Sequence, residues 1–257
     1  MSKKSNQRIS KSWMHFLEIS TLMLLFGVLI FAFILPKLAD KQTDQIASHS
    51  EKKTNDAYAN ISSDDIQFIG SDGDYLWDTR DPYYGFNKLP VVALVHIDSI
   101  DGGRNYSPIF EQYVYPQTFG KMTVLEVYKG DVKPGELLTY ARLGGIITFE
   151  EYWSGLSEAQ KNKILYQNNG IKPVVRKFVQ EKFLEDIDIE ADKDYVVFLL
   201  PQTSKDGKSI EYFIDGMQYG LREAKGYDGG LRAAFTILNN ETGEWESLSR
   251  ILKNDDK

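Results

Sequence analysis

The chain contains no cysteine. Disulfides, thiol nucleophiles, cysteine-ligated metals and a cysteine-linked lipid anchor are all excluded. Histidine is nearly as scarce. His15, His49 and His96 are the whole complement, and only His96 falls within a stretch patterned for folding. A multi-histidine zinc site and a two-histidine mechanism are therefore excluded there. His96 lies in the apolar run VVALVHI and reads as structural, because a catalytic imidazole is usually held by an orienting partner. No GxGxxG phosphate phrase and no G-x-S-x-G nucleophile elbow occurs. Nothing in the sequence names a catalytic residue, a cofactor or a metal ligand.

Charge is unevenly placed. The net charge is −7, yet Lys3, Lys4, Arg8 and Lys11 crowd the N-terminus. The remainder is acidic, which argues against a nucleic-acid surface. Directly behind the basic tail runs Ile19–Leu35, ISTLMLLFGVLIFAFIL, without a charge. A bilayer core needs about 20 helical residues, and Trp13, Met14, Phe16 and Leu17 lengthen the run. Trp13 suits the interface, and the flanking bases place the N-terminus in the cytoplasm. Cleavage after Ala39 would put Lys37 at the −3 position, a poor signal-peptidase site. The segment thus reads as a permanent, single-pass anchor, with the C-terminal bulk outside the cell membrane.

The expected organisation is a cytoplasmic tail over residues 1–12, an anchor over 13–36, a polar tether over 37–60 and an extracytoplasmic β-rich domain over 61–257. In that domain, Val91–Ile97, Phe119–Tyr128, Glu136–Leu143 and Tyr195–Leu200 read as strands, the last stopped by Pro201. Tyr212–Ile214, Tyr219–Arg222, Ala234–Leu238 and Trp245–Leu248 are shorter candidates. The final two flank Asn239-Asn240-Glu241-Thr242-Gly243, a hairpin loop of turn formers. A helical insert is expected at about 150–185. Ser157 with Gln160 forms a capping box, and Gly170 is a natural stop. Val174–Leu184 fits either a helix or a strand.

The succession VVALVHI, MTVLEVYKGDVKPGELLTYARLGG and DKDYVVFLL resembles a loosely defined group of exported bacterial domains. Val124, Leu125, Val127, Lys129, Gly130, Pro134, Gly135, Gly144, Gly145, Tyr195, Phe198 and Leu199 carry the likeness. The layout is similar to the five-stranded OB-like barrel of netrin-type and tissue-inhibitor domains. What the resemblance implies is a mainly β, OB-like barrel with a helical insert, spanning about Leu89 to Leu248. The inhibitor branch acts through an N-terminal cysteine, so that activity does not carry over to a chain with none.

Two further constellations bear on function. Acids crowd the stretch 64–81, and Asp72-Gly73-Asp74 with Asp78 offers oxygens to a cation. The EF-hand spacing and its final glutamate are absent, however. Asp188, Glu190, Asp192 and Asp194 alternate with Ile187, Ile189 and Ala191, which places the acids outward. A glycosidase needs two carboxylates facing across a cleft, and nothing selects such a pair. Aromatics are the second constellation. Tyr83, Tyr84 and Phe86 precede the first strong strand, while Tyr106, Phe110, Tyr113 and Tyr115 follow it in an expected loop. Rings on loops either plug a barrel end or form a contact rim. The binding reading selects Tyr83, Tyr84, Phe86, Tyr106 and Tyr113. The sequence as a whole favours a non-enzymatic binding module for a protein or other cell-surface partner. A tethered hydrolase using a carboxylate pair, and an accessory subunit of a membrane complex, are the alternatives.

Overall fold

The computed structural model describes residues 55–73, 78, 81–173, 176–229 and 235–252. The anchor Ile19–Leu35 lies outside them. Among the described residues no helix is long and apolar enough to cross a membrane.

The fold is mainly β and is organised by one long hairpin. Strands β2 (Val91–Ser107) and β3 (Gln112–Lys129) pair antiparallel from Val92↔Lys129 to Ser107↔Gln112. The sequence reading places a loop between these strands, because residues 98–118 hold a Gly-Gly pair and two prolines. The chain instead keeps pairing as far as Ser107↔Gln112, confines the loop to residues 108–111, and takes up the Gly-Gly stretch with register shifts, among them Ile97/Ser99 and Ile100/Gly102. Such bulges add twist without ending a ladder.

Three more strands complete the central arrangement: β4 (Leu137–Leu143), β7 (Asp194–Thr203) and β8 (Ile210–Ile214). β3 pairs with β4, β4 runs parallel to β8, β8 pairs antiparallel with β7, and β7 returns to β2. The hydrogen-bonded pairings therefore form a closed circuit of five strands. Two-residue alternation then sorts side chains to either side of the wall. Ala93, Val95, Ile97, Met122, Val124, Tyr140, Val197 and Leu199 fill the inner core. Val92, Leu94, Val196 and Phe198 point the other way, into an outer core.

β7 does not stop at Pro201. Phe198 donates its N–H to Gly220 O and accepts at its carbonyl from Asp215 N (3.1 and 3.0 Å), so its backbone faces the side away from β2. By the repeat of two, Pro201 faces the β2 side, where β2 has already ended at Val91↔Leu199. The N–H that proline lacks has no ladder partner to lose there.

The outer core is covered by an extension of the sheet beyond β7. It consists of β9 (Leu221–Lys225), β10 (Thr236–Leu238) and β11 (Trp245–Ser247). The short helix α1 (Tyr84–Lys88) and the segment around Leu248–Ile251 close over it. The β10–β11 loop is held by Asn239, whose Oδ1 accepts from Glu241 N and Thr242 N (3.1 and 3.3 Å).

A second, three-stranded sheet holds β1 (Ile66–Ser71), β6 (Phe178–Phe183) and β5 (Ile146–Thr148) in the order β1-β6-β5. Val174–Leu184, which sequence left open, thus contributes a strand. Helices α2 (Phe149–Gly155) and α3 (Glu158–Gln167) lie between β5 and β6 in the chain. Ser157 and Gln160 form the expected reciprocal cap at the start of α3; the helix ends at Gln167, with Asn169 (φ +55°) as the left-handed residue and Gly170, one position after it, donating its N–H to Leu165 O at 2.8 Å. β4 passes to β5 through Gly144-Gly145. Gly144 has φ +93°, and a Cβ on Gly145 would strike the Gln117 backbone, so both residues must be glycine-like.

A strap precedes β1. Ile100 N donates to Asn55 O (2.7 Å) and Ala57 N to Ile100 O (2.9 Å). The half-buried Tyr58 hydroxyl lies 3.2 Å from Thr118 Oγ1 and accepts from Ile146 N at 3.1 Å. Residues assigned to the tether by sequence therefore hydrogen-bond to β2, β3 and β5.

Candidate functional site

Beside α1, a cleft of about 280 Å³ opens on the outer side of the strand circuit. Small-ligand sites usually occupy about 300–1,000 Å³, so it has room for a small ligand or for one end of a longer one. Its floor includes Phe198 of β7 and Gly85 of α1. A Cβ on Gly85 would stand 2.5 and 2.6 Å from two Phe198 ring carbons. Glycine is therefore required for α1 to sit this close. Gly85→Ala is expected to lift α1 and to lower unfolding free energy by about 1–3 kcal/mol, measured by urea titration. An unchanged midpoint would contradict the close approach.

The cleft wall carries Tyr83, Tyr84 and Tyr219, with Arg222 and Arg250 as cations. Asp78, Asp81, Glu241 and Glu246 supply carboxylates, and Asn239 an amide. Arg222, on β9, is only 7% exposed. Its Nε donates to Tyr219 O at 3.3 Å and its Nη1 to Leu238 O at 3.4 Å. The guanidinium lies over the Tyr219 ring, 5.5 Å from the centroid. Burial pushes its pKa down, and the charges of Glu246 and Glu241, with Tyr219, push it back up. Those two carboxylates act at a distance, because among the described residues none is ion-paired with Arg222. Arg250, Glu241 and Glu246 likewise have no side-chain ion pair or hydrogen bond among the described residues.

The aromatic residues singled out by sequence separate into two places. Tyr83 and Tyr84 line this cleft, and Tyr83 is 37% exposed. Phe86 turns away from it into the outer core, with Lys129 Nζ 5.6 Å from its ring centroid. Tyr106 and Tyr113 face each other across the far end of the β2–β3 hairpin, edge to face at 5.6 Å. They lie on paired strands rather than in a loop. With Arg104, Asn105, Glu150, Glu151 and Ser154 they border a second depression of about 330 Å³. Arg104 there is ion-paired to the buried Glu211 of β8 and hydrogen-bonds Gln117 Oε1 at 3.1 Å. That end of the hairpin is thereby fixed to the strand circuit.

Three further titratable groups lie away from the cleft lining. His96 does have an orienting carboxylate: Nδ1 lies 2.8 Å from Asp194 Oδ1, and Nε2 lies 3.9 Å from Asp192 Oδ1. With an acid at each nitrogen, it ties β2 to the turn before β7. Burial pushes Glu181, on β6, above the usual carboxylate range. Asp186 is also raised by burial, against the opposing effect of Arg142. For neither is a second carboxylate the cause, whereas a glycosidase-type pair would raise one acid by the charge of the other. Of the Asp72-Gly73-Asp74 cluster, Asp74 lies outside the described residues. Among those described, no group of three or more acids and histidines is placed to hold a metal ion.

Sequence reasoning did not select Arg222, Asn239, Arg250 or the glutamates of the β10–β11 loop. The available signal was an arginine inside the otherwise apolar start of a strand, LREAK, followed by an Asn-rich turn. Compared with known proteins, the chain matches no family model, no curated protein and no solved structure.

Proposed function

We propose that the chain is a non-enzymatic binding module, held on the outer face of the cell membrane by Ile19–Leu35, with the cleft beside Arg222 as its ligand site. The observation that carries this reading is Arg222 itself. Among the described residues this buried guanidinium makes two long bonds to backbone carbonyls and pairs with no carboxylate, which leaves donors for a ligand. Arg222 contributes no atom that is both buried and unpartnered, so its remaining donors are accessible, and a ligand that supplies acceptors can take them up. The basic tail before an uncharged apolar run supports the N-in orientation.

The strand circuit supports the OB-like reading. Numbered within the circuit, β2, β3, β4, β7 and β8 are strands one to five. They pair in the order 1-2-3-5-4 and back to 1, with strands three and five parallel. Helices fall between strands three and four. OB-like barrels commonly bind through the loops joining strands one to two and four to five. Lys205 of the latter loop pairs with Glu111 of the former at 3.1 Å. A second reading therefore places a surface protein on the hairpin end, where Tyr106, Phe110 and Tyr113 are 47%, 39% and 54% exposed.

The full-length protein in nanodiscs tests both readings against polysaccharide and protein fractions of the cell envelope. Retention lost in Tyr83→Ala and kept in Tyr106→Ala is expected for the cleft. The reverse pattern would move the site to the hairpin end, and retention of nothing would remove the module reading. Protease added to intact cells is expected to degrade the C-terminal domain, and protection would overturn the orientation.

A further inference from the structure

The cleft beside Arg222 combines open hydrogen-bonding groups of both signs. Arg222 and Arg250 face it, as do Glu241 and Glu246, yet among the described residues none of the four pairs with another. Asn239 adds a neutral donor, because its Oδ1 is taken up by the loop while its Nδ2 is not. Tyr83 adds an exposed ring.

Charge decides the ligand class. A phosphate or carboxylate entering to meet the arginines would also meet Glu241 and Glu246. An ammonium entering to meet the glutamates would also meet Arg222 and Arg250. Of the four carboxylates that line the cleft, Asp81 already accepts from Tyr83 N at 2.9 Å and Asp78 is engaged elsewhere, so the open groups are two of each sign, and an ion of either charge meets repulsion as well as attraction. A hydroxyl group both donates and accepts. It can donate to a carboxylate and accept from a guanidinium, so an uncharged polyol satisfies both sets at once. Adjacent ring hydroxyls span the two oxygens of a carboxylate or the fork of a guanidinium, and the apolar face of a sugar ring stacks on a tyrosine.

We infer that this cleft binds an uncharged saccharide, with Tyr83 as the stacking platform and the arginines and glutamates dividing the hydroxyls between them. The inference rests on the binding-module reading and adds the ligand class to it.

The test uses the full-length protein in nanodiscs on an array of neutral, uronate-containing and amino-sugar oligosaccharides, with acidic and basic peptides alongside. Retention on neutral oligosaccharides is expected. Tyr83→Ala and Arg250→Ala, both at exposed positions, are each expected to weaken it at least about tenfold, and Tyr166→Ala, at an 88% exposed position on α3, to leave it unchanged. Neutral retention indifferent to Tyr83 and Arg250 would overturn the inference. Retention of charged probes or peptides alone, still dependent on Tyr83 and Arg250, would overturn the saccharide assignment and leave the module standing. Retention of no probe in a Tyr83-dependent manner would remove both.

Discussion

Asp186→Ala is expected to lower the unfolding free energy by about 3–5 kcal/mol, a large share of the roughly 5–15 kcal/mol that holds a typical domain together. Asp186 and Arg142 form an ion pair whose side chains are 1% and 4% exposed. Arg142 also donates to Ile187 O at 2.7 Å, and Asp186 Oδ1 accepts from Ile187 N at 2.9 Å. The pair thereby fastens the β6–β7 connection against the end of β4. Removing the carboxylate leaves a buried guanidinium with one backbone acceptor. The pair is not ideal even when intact, because Arg142 Nε and Asp186 Oδ2 are buried without partners. Replacing both residues with apolar ones, as in Arg142→Met with Asp186→Leu, is therefore expected to cost far less than either single truncation. Urea titration of the three variants checks this. A single truncation that costs under about 1 kcal/mol would show that the pair does not restrain the connection.

Alkaline pH is expected to unfold the domain earlier than its surface tyrosines alone would. Burial pushes the Tyr195 phenol up to about 12. Tyr140, whose hydroxyl donates to Ser99 O at 3.2 Å, is pushed higher still, and Tyr58 is raised as well. In the unfolded chain these phenols ionise near 10. Between the two values the native state keeps protons that the unfolded state has released. Stability is therefore fully present below about pH 10 and declines as pH rises through about 12. Tyr195 alone contributes on the order of 2–3 kcal/mol to that decline. Urea titrations from pH 8 to 12 should show a falling midpoint, with a shallower fall in Tyr195→Phe. A flat midpoint up to pH 11.5, or an identical slope in the variant, would count against buried, neutral phenols.

Local rules read best where the chain obeys only its neighbours. The Ser157–Gln160 cap and the Asn239–Gly243 turn are each written within a few residues, and both appear as the spacing predicts, whereas the helix stop falls to Asn169 rather than to Gly170. The apolar run at Val91 was equally legible as a strand, although its far end was not. Gly102 and Gly103 look like breakers until a partner strand is present to carry the bulges, whereas Pro108 does lie in the turn between β2 and β3. Pro201 looks like a stop until β2 is known to end beside it. Within Val174–Leu184, Phe178–Phe183 is a strand because β1 and β5 pair with it on either side.

The site was less legible than the fold, for a related reason. Tyr83 stood out by its ring, but Arg222, Asn239 and Arg250 acquire meaning only when α1, β9 and the β10–β11 loop converge. Asp186 is another case. It has the same parity as the outward-facing Asp188 and Glu190, yet it is buried because Arg142 lies across from it. Pairing between distant segments overrides an alternation that is correct one and two steps later.

The strap that fastens Asn55 and Ala57 to Ile100 also sets a load path. In a chain tethered by Ile19–Leu35 as proposed, any pull between cell and ligand enters the domain there. It is borne by two backbone hydrogen bonds and by the Tyr58 phenol held at Thr118 and Ile146. The cleft lies beside Phe198, whose partner on β2 is Val92. Eight residues of strand, roughly 25 Å, separate that point from Ile100. Clamp and cleft would carry such a load in series at separate places, and Tyr58→Phe should lower the force at which the strap peels away while leaving the grip of the cleft unaltered.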